Sequence, residues 1–234
     1  MLESPFNDFL GKELAKTDKP EQYLEKRLMD IKKRALEMNS AREKMRSGYQ
    51  QVLEGLAQAF PDIDLKDANL VDSPNRMARA LLEVCSGLGM KDHQVISTSF
   101  PNEKYNEVVI LKNINFNSLC SHHFFPFTGV AHVGYLPEMG TDGAVVGLSK
   151  LARIVDSYAR RPQLQERLCY SVMEALKNQL KPAGVMVVME ASHGCMTCRG
   201  AMKTNAKMVT SALDGKFKTD DKLRKEFLNL IKVQ

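Results

Sequence analysis

The sequence predicts a protein of the α+β class, with an N-terminal helical region over residues 1–68 and a mixed helix-and-strand body over residues 69–234. Three observations carry this. Charge-dense helical spacing fills residues 21–60, β-branched and alternating runs replace it after residue 106, and two helical segments divided by proline follow before the strand pattern returns. At 234 residues with 44% hydrophobic content, the chain can bury a substantial core as one domain with an appendage.

Residues 1 to about 20 are polar and broken by Pro5 and Pro20, the composition of a mobile arm. The stretch from Glu21 to Phe60 sets Tyr23, Leu24, Leu28, Ile31, Leu36 and Met38 among dense charges, which predicts one long or two shorter surface helices that pack on a partner helix. In DSPNRMARALLEVCSGLG, Ser73 reads as an N-cap, Pro74 as the first helical residue and Gly87 as the stop. Cys85 within it reads as a core thiol. NEVVILKNINF and TGVAHVGYLP are rich in β-branched residues and read as strands. LSKLARIVDSYARR and QLQERLCYSVMEALKNQL have helical spacing, separated by Pro162 and closed by Pro182. GVMVVMEAS and KMVTSAL read as strands, and DDKLRKEFLNLI as a terminal helix with acidic residues in its first turn.

Charge narrows the function classes without choosing among them. Thirty-three basic against 28 acidic residues leave a net charge of +5, a modest excess that suits an anionic substrate without requiring nucleic acid. Five cysteines make an odd number for a disulfide framework, and MLESPFNDFLGKEL has neither a basic n-region nor an apolar h-region, so the expectation is reduced thiols in a cytoplasm. No apolar run approaches the ~18 residues of a membrane span.

Two segments carry metal-ligand spacing. In NSLCSHHFFPF, Cys120 and His123 are separated by two residues; in SHGCMTCRG, Cys195 and Cys198 are too. Together they offer a Cys3His set for zinc. Four ligands would close the site as a structural one, whereas three would leave a position for a reacting water. His122 lies in one segment and His193 in the other, each placed as either an acid–base group or a hydrogen-bonded structural histidine. His132 and His93 lack such company and read as structural or surface residues.

Three longer stretches, LCSHHFFPFTGVAHVGYLP, VVGLSKLARIVDSYARRPQLQERL and SHGCMTCRGAMKTNAKMVTSAL, resemble the signature regions of GTP cyclohydrolase I in their order and separation. The resemblance covers about residues 70–234. It implies the tunnelling fold, an antiparallel sheet with helices packed on one face, assembled into a ring-shaped homo-oligomer, typically a decamer, with active sites between subunits. The implied reaction is hydrolysis of GTP, loss of formate and rearrangement to 7,8-dihydroneopterin triphosphate, the first step towards tetrahydrofolate or another pterin.

By the same resemblance Cys120, His123 and Cys195 are the Zn2+ ligands and His122 protonates the imidazole nitrogen. His193 serves proton transfers at the ribose with Ser149 near the sugar. Gln165 and Glu166 read the guanine, and Lys150, Arg153 and Arg199 hold the triphosphate. The chain departs from the family at Ser121, where an acidic residue is usual, and at Cys198, where the family has a small or apolar residue. Cys198 is expected to be an inert neighbour, since a fourth thiolate would fill the position the reacting water needs. A purine-binding zinc protein without turnover and another tunnelling-fold pterin or deazapurine enzyme are the alternatives.

Overall fold

The computed structural model describes residues 19–90, 95–96, 99–102, 104–140 and 143–232. His93 and all but the last two residues of the expected arm lie outside them. Contacts divide the chain into a unit ending at Leu82 and a second from Glu83 onward. Among the described residues no helix is long and apolar enough to cross a membrane.

In the first unit, residues 20–59 form one continuous helix, α1 (Pro20–Ala59), which settles the one-or-two alternative. Pro20 sits at the N-terminus, where its missing N–H costs no helical hydrogen bond, and Glu21 complements the helix dipole. No residue of α1 is buried, and Leu28, Ile31, Leu36 and Met38 stand exposed. Arg42 donates to the Asn75 side chain at 2.6 Å, which ties α1 to α2 (Ser73–Val84).

Ser73 does not cap α2 as expected. It is already helical, and its hydroxyl donates back to the Asn69 carbonyl at 3.3 Å instead of accepting from a first-turn N–H. Asp72 stands before the helix, with its carbonyl accepting from the Arg76 N–H at 3.1 Å. The helix stops at Val84, ahead of Gly87.

A five-stranded sheet organises the second unit, in the order β5 (Pro162–Gln163), β2 (Val109–Cys120), β3 (Pro126–Leu136), β6 (Gly184–His193), β7 (Met208–Gly215). Neighbours are antiparallel except the two-residue β5, which runs parallel to the end of β2. The three-residue strands β1 (Ser99–Pro101) and β4 (Ala144–Val146) form a separate pair that the sequence pattern did not reveal.

Helices α3 (Leu148–Ala159) and α4 (Gln165–Leu180) cover one face of the sheet. Their Leu151, Ile154, Leu168, Val172 and Leu176 bury against Phe116, Phe127, Val133, Tyr135, Val187 and Met189. Each fully buried aliphatic side chain of this kind contributes roughly 1.5–3 kcal/mol of transfer free energy.

Helices are not confined to that face. After the four-residue helices α5 (Gly194–Thr197) and α6 (Lys216–Thr219), the terminal α7 (Asp221–Lys232) covers one end of the opposite face. There Phe217 and Phe227 bury with Leu136, Met186 and Val188. Gly134 makes the approach feasible, because a Cβ there would stand 2.5 Å from the Phe227 ring. Burial on both faces explains why β6 is apolar almost throughout, with no alternation.

Candidate metal centre and active site

The candidate site grows from two strand ends. Where β2 finishes, the chain reverses within five residues: the Phe124 N–H donates to the Cys120 carbonyl and the Cys120 N–H to the Phe125 carbonyl, both at 2.8 Å. Phe124 takes a left-handed φ of 56° to close this turn. The Ser121 N–H donates to the Gln163 carbonyl at 3.0 Å, anchoring the turn to β5.

β3 then runs back beside β6 with Phe127 opposite His193, so the residues after His193 arrive next to the reversed turn. Gly194 permits that approach, since a Cβ would lie 2.9 Å from the Pro126 carbonyl oxygen.

This geometry brings Cys120, His123 and Cys195 together, with their candidate ligand atoms all within 4.8 Å of one another. The two sulfurs are 4.0 Å apart. A tetrahedral zinc with Zn–S bonds near 2.3 Å sets its sulfurs about 3.8 Å apart, so the thiol pair fits that ion with little movement. Two thiols and an imidazole are also a donor set that suits zinc.

Cys198 is outside this group. It is exposed, and its thiol donates to the Gly194 carbonyl at 2.8 Å. The structure thus brings three of the four candidate donors together. Burial, followed by the neighbouring Cys120 thiol, pushes the Cys195 thiol above its ordinary pKa, while the positive charge of Arg199 opposes that shift. A bound cation would favour the thiolate and reverse the sign.

The flanking histidines differ in setting. His122 is exposed, with Nδ1 4.0 Å from the Cys120 sulfur and its ring at 79° to that of His123. His193 is half-buried and stacked on Phe127, with centroids 4.6 Å apart and planes within 1°. Its Nε2 lies 2.8 Å from Oε1 of Gln165. Burial lowers the His193 pKa, and the Glu166 carboxylate partly offsets this.

Gln165, the first residue of α4, is 1% exposed, and its Nε2 reaches the carbonyls of Met189 and Met208 and the Thr210 hydroxyl. Glu166 beside it is exposed. Ser149, Lys150 and Arg153 lie on the first two turns of α3, with Ser149 and Arg153 exposed, and are not part of the thiol–imidazole cluster. Arg199 is exposed just beyond Cys198.

Sequence reasoning missed Phe127 and Thr210. Phe127 looked like any core aromatic, and only its register opposite His193 marks it as a ring support. His132 does serve structure: its Nδ1 accepts the Asn113 N–H at 3.3 Å, at the bulge between Leu111 and Ile114 in β2. Cys85 is half-buried, with its thiol pKa raised by burial.

An antiparallel sheet backed by two helices, with a Cys2His cluster between two histidines at the strand ends, defines an α+β protein with a candidate catalytic metal centre. The GTP cyclohydrolase I sequence model matches residues 45–232. The chain belongs to that family and is a hydrolase of its kind.

Among similar proteins, the GTP cyclohydrolase 1 of Listeria monocytogenes serotype 4a is 49% identical over 191 residues, covering 82% of this chain and 96% of the relative. That of Thermobifida fusca is 50% identical over 171 residues, covering 73% and 79%, and that of Mycobacterium leprae 52% over 162 residues, covering 69% and 78%. Among solved structures, archaeosine synthase QueF-Like in the apo form overlays with a TM-score of 0.39 at 22% identity, over 48% of this chain and 97% of that one.

Proposed function

We propose that this protein hydrolyses GTP to 7,8-dihydroneopterin triphosphate and formate, feeding tetrahydrofolate or pterin synthesis in the cytoplasm. The observation that carries the reading is the Cys120, His123 and Cys195 cluster with His122 and His193 beside it, in a chain of this family. Bound at that cluster, zinc would supply a Lewis acid that makes hydroxide available near neutral pH.

The side chains divide the remaining work. His122, 4.0 Å from the Cys120 sulfur, delivers a proton to the imidazole nitrogen as the guanine ring opens. His193 handles protons at the ribose ring oxygen, with Ser149 near the sugar. Glu166 reads the base, because a carboxylate accepts both the ring N–H and the exocyclic amine of guanine, whereas adenine presents an acceptor at that edge. Lys150, Arg153 and Arg199 hold the triphosphate.

In this reading residues 69–234 form the catalytic domain, and a ring-shaped homodecamer brings residues of neighbouring subunits to each site. The test is to incubate zinc-loaded protein with GTP and measure formate together with the fluorescent oxidised pterin. GTP binding without formate release at any metal loading would leave a nucleotide-binding protein and overturn the activity.

A further inference from the structure

We propose that Gln165 is a positioning residue: its amide oxygen holds the His193 ring in the tautomer protonated at Nε2, leaving the lone pair on Nδ1, and the amide takes no part in reading the base. This rests on the GTP-hydrolysing reading above, and for Gln165 it replaces the guanine contact that family resemblance implies.

Hydrogen-bond polarity carries the inference. Nε2 of Gln165 lies 3.2 Å from the Met189 carbonyl, 3.0 Å from the Met208 carbonyl and 3.2 Å from the Thr210 hydroxyl. Two of these three partners are carbonyl oxygens, which bear no hydrogen, so the amide nitrogen must face them. The flipped amide would set its own oxygen against both. With two hydrogens and three acceptors in reach, the nitrogen is fully engaged.

Oε1 therefore faces His193, whose Nε2 is 2.8 Å away. An amide oxygen only accepts, so the hydrogen belongs to Nε2 of the imidazole, and in the neutral ring Nδ1 carries the free lone pair. Stacking on Phe127 at 4.6 Å fixes the ring plane.

The same census removes Gln165 from base recognition. At 1% exposure with both ends of its amide engaged, it has no polar atom to offer a purine edge without surrendering a buried hydrogen bond. Exposed Glu166, one residue on, has that freedom.

The deciding measurement uses zinc-loaded protein with 15N-labelled histidine, at a pH where the rings are neutral. Solid-state NMR reports the tautomer of His193, assigned by the signal missing in His193→Asn. The expected result is the Nε2–H form in wild type and a mixture in Gln165→Met. That variant should bind GTP within about twofold of wild type while turnover at saturating GTP falls by roughly 10- to 100-fold. A wild-type His193 protonated at Nδ1 would overturn the proposal, as would a Gln165→Met enzyme with full turnover and weakened GTP affinity. If Gln165→Met does not fold, the wild-type spectrum alone decides. A wild-type protein that releases no formate would end the proposed activity but leave the tautomer assignment to the spectrum.

Discussion

Replacing Phe127 with leucine tests whether ring stacking sets the orientation of His193. Phe127 is fully buried and touches two rings: Phe116 edge-on at 6.1 Å and 79°, and His193 face-on at 4.6 Å and 1°. Aromatic pairs contribute about 0.5–1.5 kcal/mol each beyond the area they bury, so losing both costs about 1–3 kcal/mol. The smaller side chain leaves a void of roughly 20 Å3, which adds about 0.5 kcal/mol. Phe127→Leu should therefore lose about 1.5–3.5 kcal/mol of stability, with the His193 share between about 0.5 and 1.5 kcal/mol. Urea unfolding of Phe127→Leu, His193→Asn and the double variant isolates that share as a coupling energy. Protein concentration must be fixed, since any association would shift the midpoints. A coupling below about 0.3 kcal/mol, the ordinary error of additivity, would refute the reasoning, because the two rings would then be neighbours without interaction.

Cys120→Ser and Cys195→Ser should lose stoichiometric zinc by metal analysis while Cys198→Ser keeps it, because the Cys198 thiol lies outside the cluster on the Gly194 carbonyl; zinc loss in Cys198→Ser would refute the three-ligand assignment. Glu166→Gln turns one acceptor into a donor facing guanine donors and should weaken GTP binding by about 2–4 kcal/mol with zinc content normal. Calorimetry showing unchanged affinity would remove Glu166 from recognition. His122→Ser should keep zinc and GTP binding yet slow turnover about 100-fold, as formate release will report; loss of zinc instead would mean that the two adjacent histidines are assigned the wrong way round. Burial holds the His132 pKa below its unfolded value, so its contribution to stability is complete above about pH 6.5 and is lost as pH falls towards the folded value. His132→Asn should flatten that part of the stability–pH curve, and an unchanged slope would assign the dependence elsewhere, His193 being the other histidine shifted downward among the described residues.

Legibility in the sequence followed physical range. The strands β2, β3 and β7 and the helices α3, α4 and α7 announced themselves through apolar patterning on one face, and β6 through a continuous apolar run. The pair β1–β4 and the two-residue β5 are too short to show a period, and the coverage of the second sheet face by α7 depends on Gly134 meeting Phe227, a contact between distant residues. Ser73 had the composition of a cap, but its hydroxyl found the Asn69 carbonyl, one of the local alternatives open to any serine. At the site, Cys120, His123, Cys195 and Cys198 were visible as candidate donors because ligand spacing is local, whereas the turn of the Cys198 thiol towards the Gly194 carbonyl was not. The clamp on His193 was not legible at all, since it is made by two backbone carbonyls, a threonine from β7 and an aromatic ring from β3.

That clamp and the metal cluster depend on one feature, the register of β3 against β6. Pairing Phe127 with His193 sets the two rings on the same face, and it brings Cys195 within 4.0 Å of Cys120 once β2 has reversed through the Ser121–Phe125 turn. A slip of one residue would send every β6 side chain to the opposite face, moving His193 away from both Phe127 and Gln165. The slip is opposed along the whole strand, because Val185, Val187, Met189 and Ala191 fill the core beneath α3 and α4 while Met186 and Val188 fill the one beneath α7. Exchanging these sets would put Glu190 into the core under α3 and α4, leaving a buried carboxylate where an alanine or methionine now packs. Burial on both faces of β6 is thus what holds the candidate site in alignment.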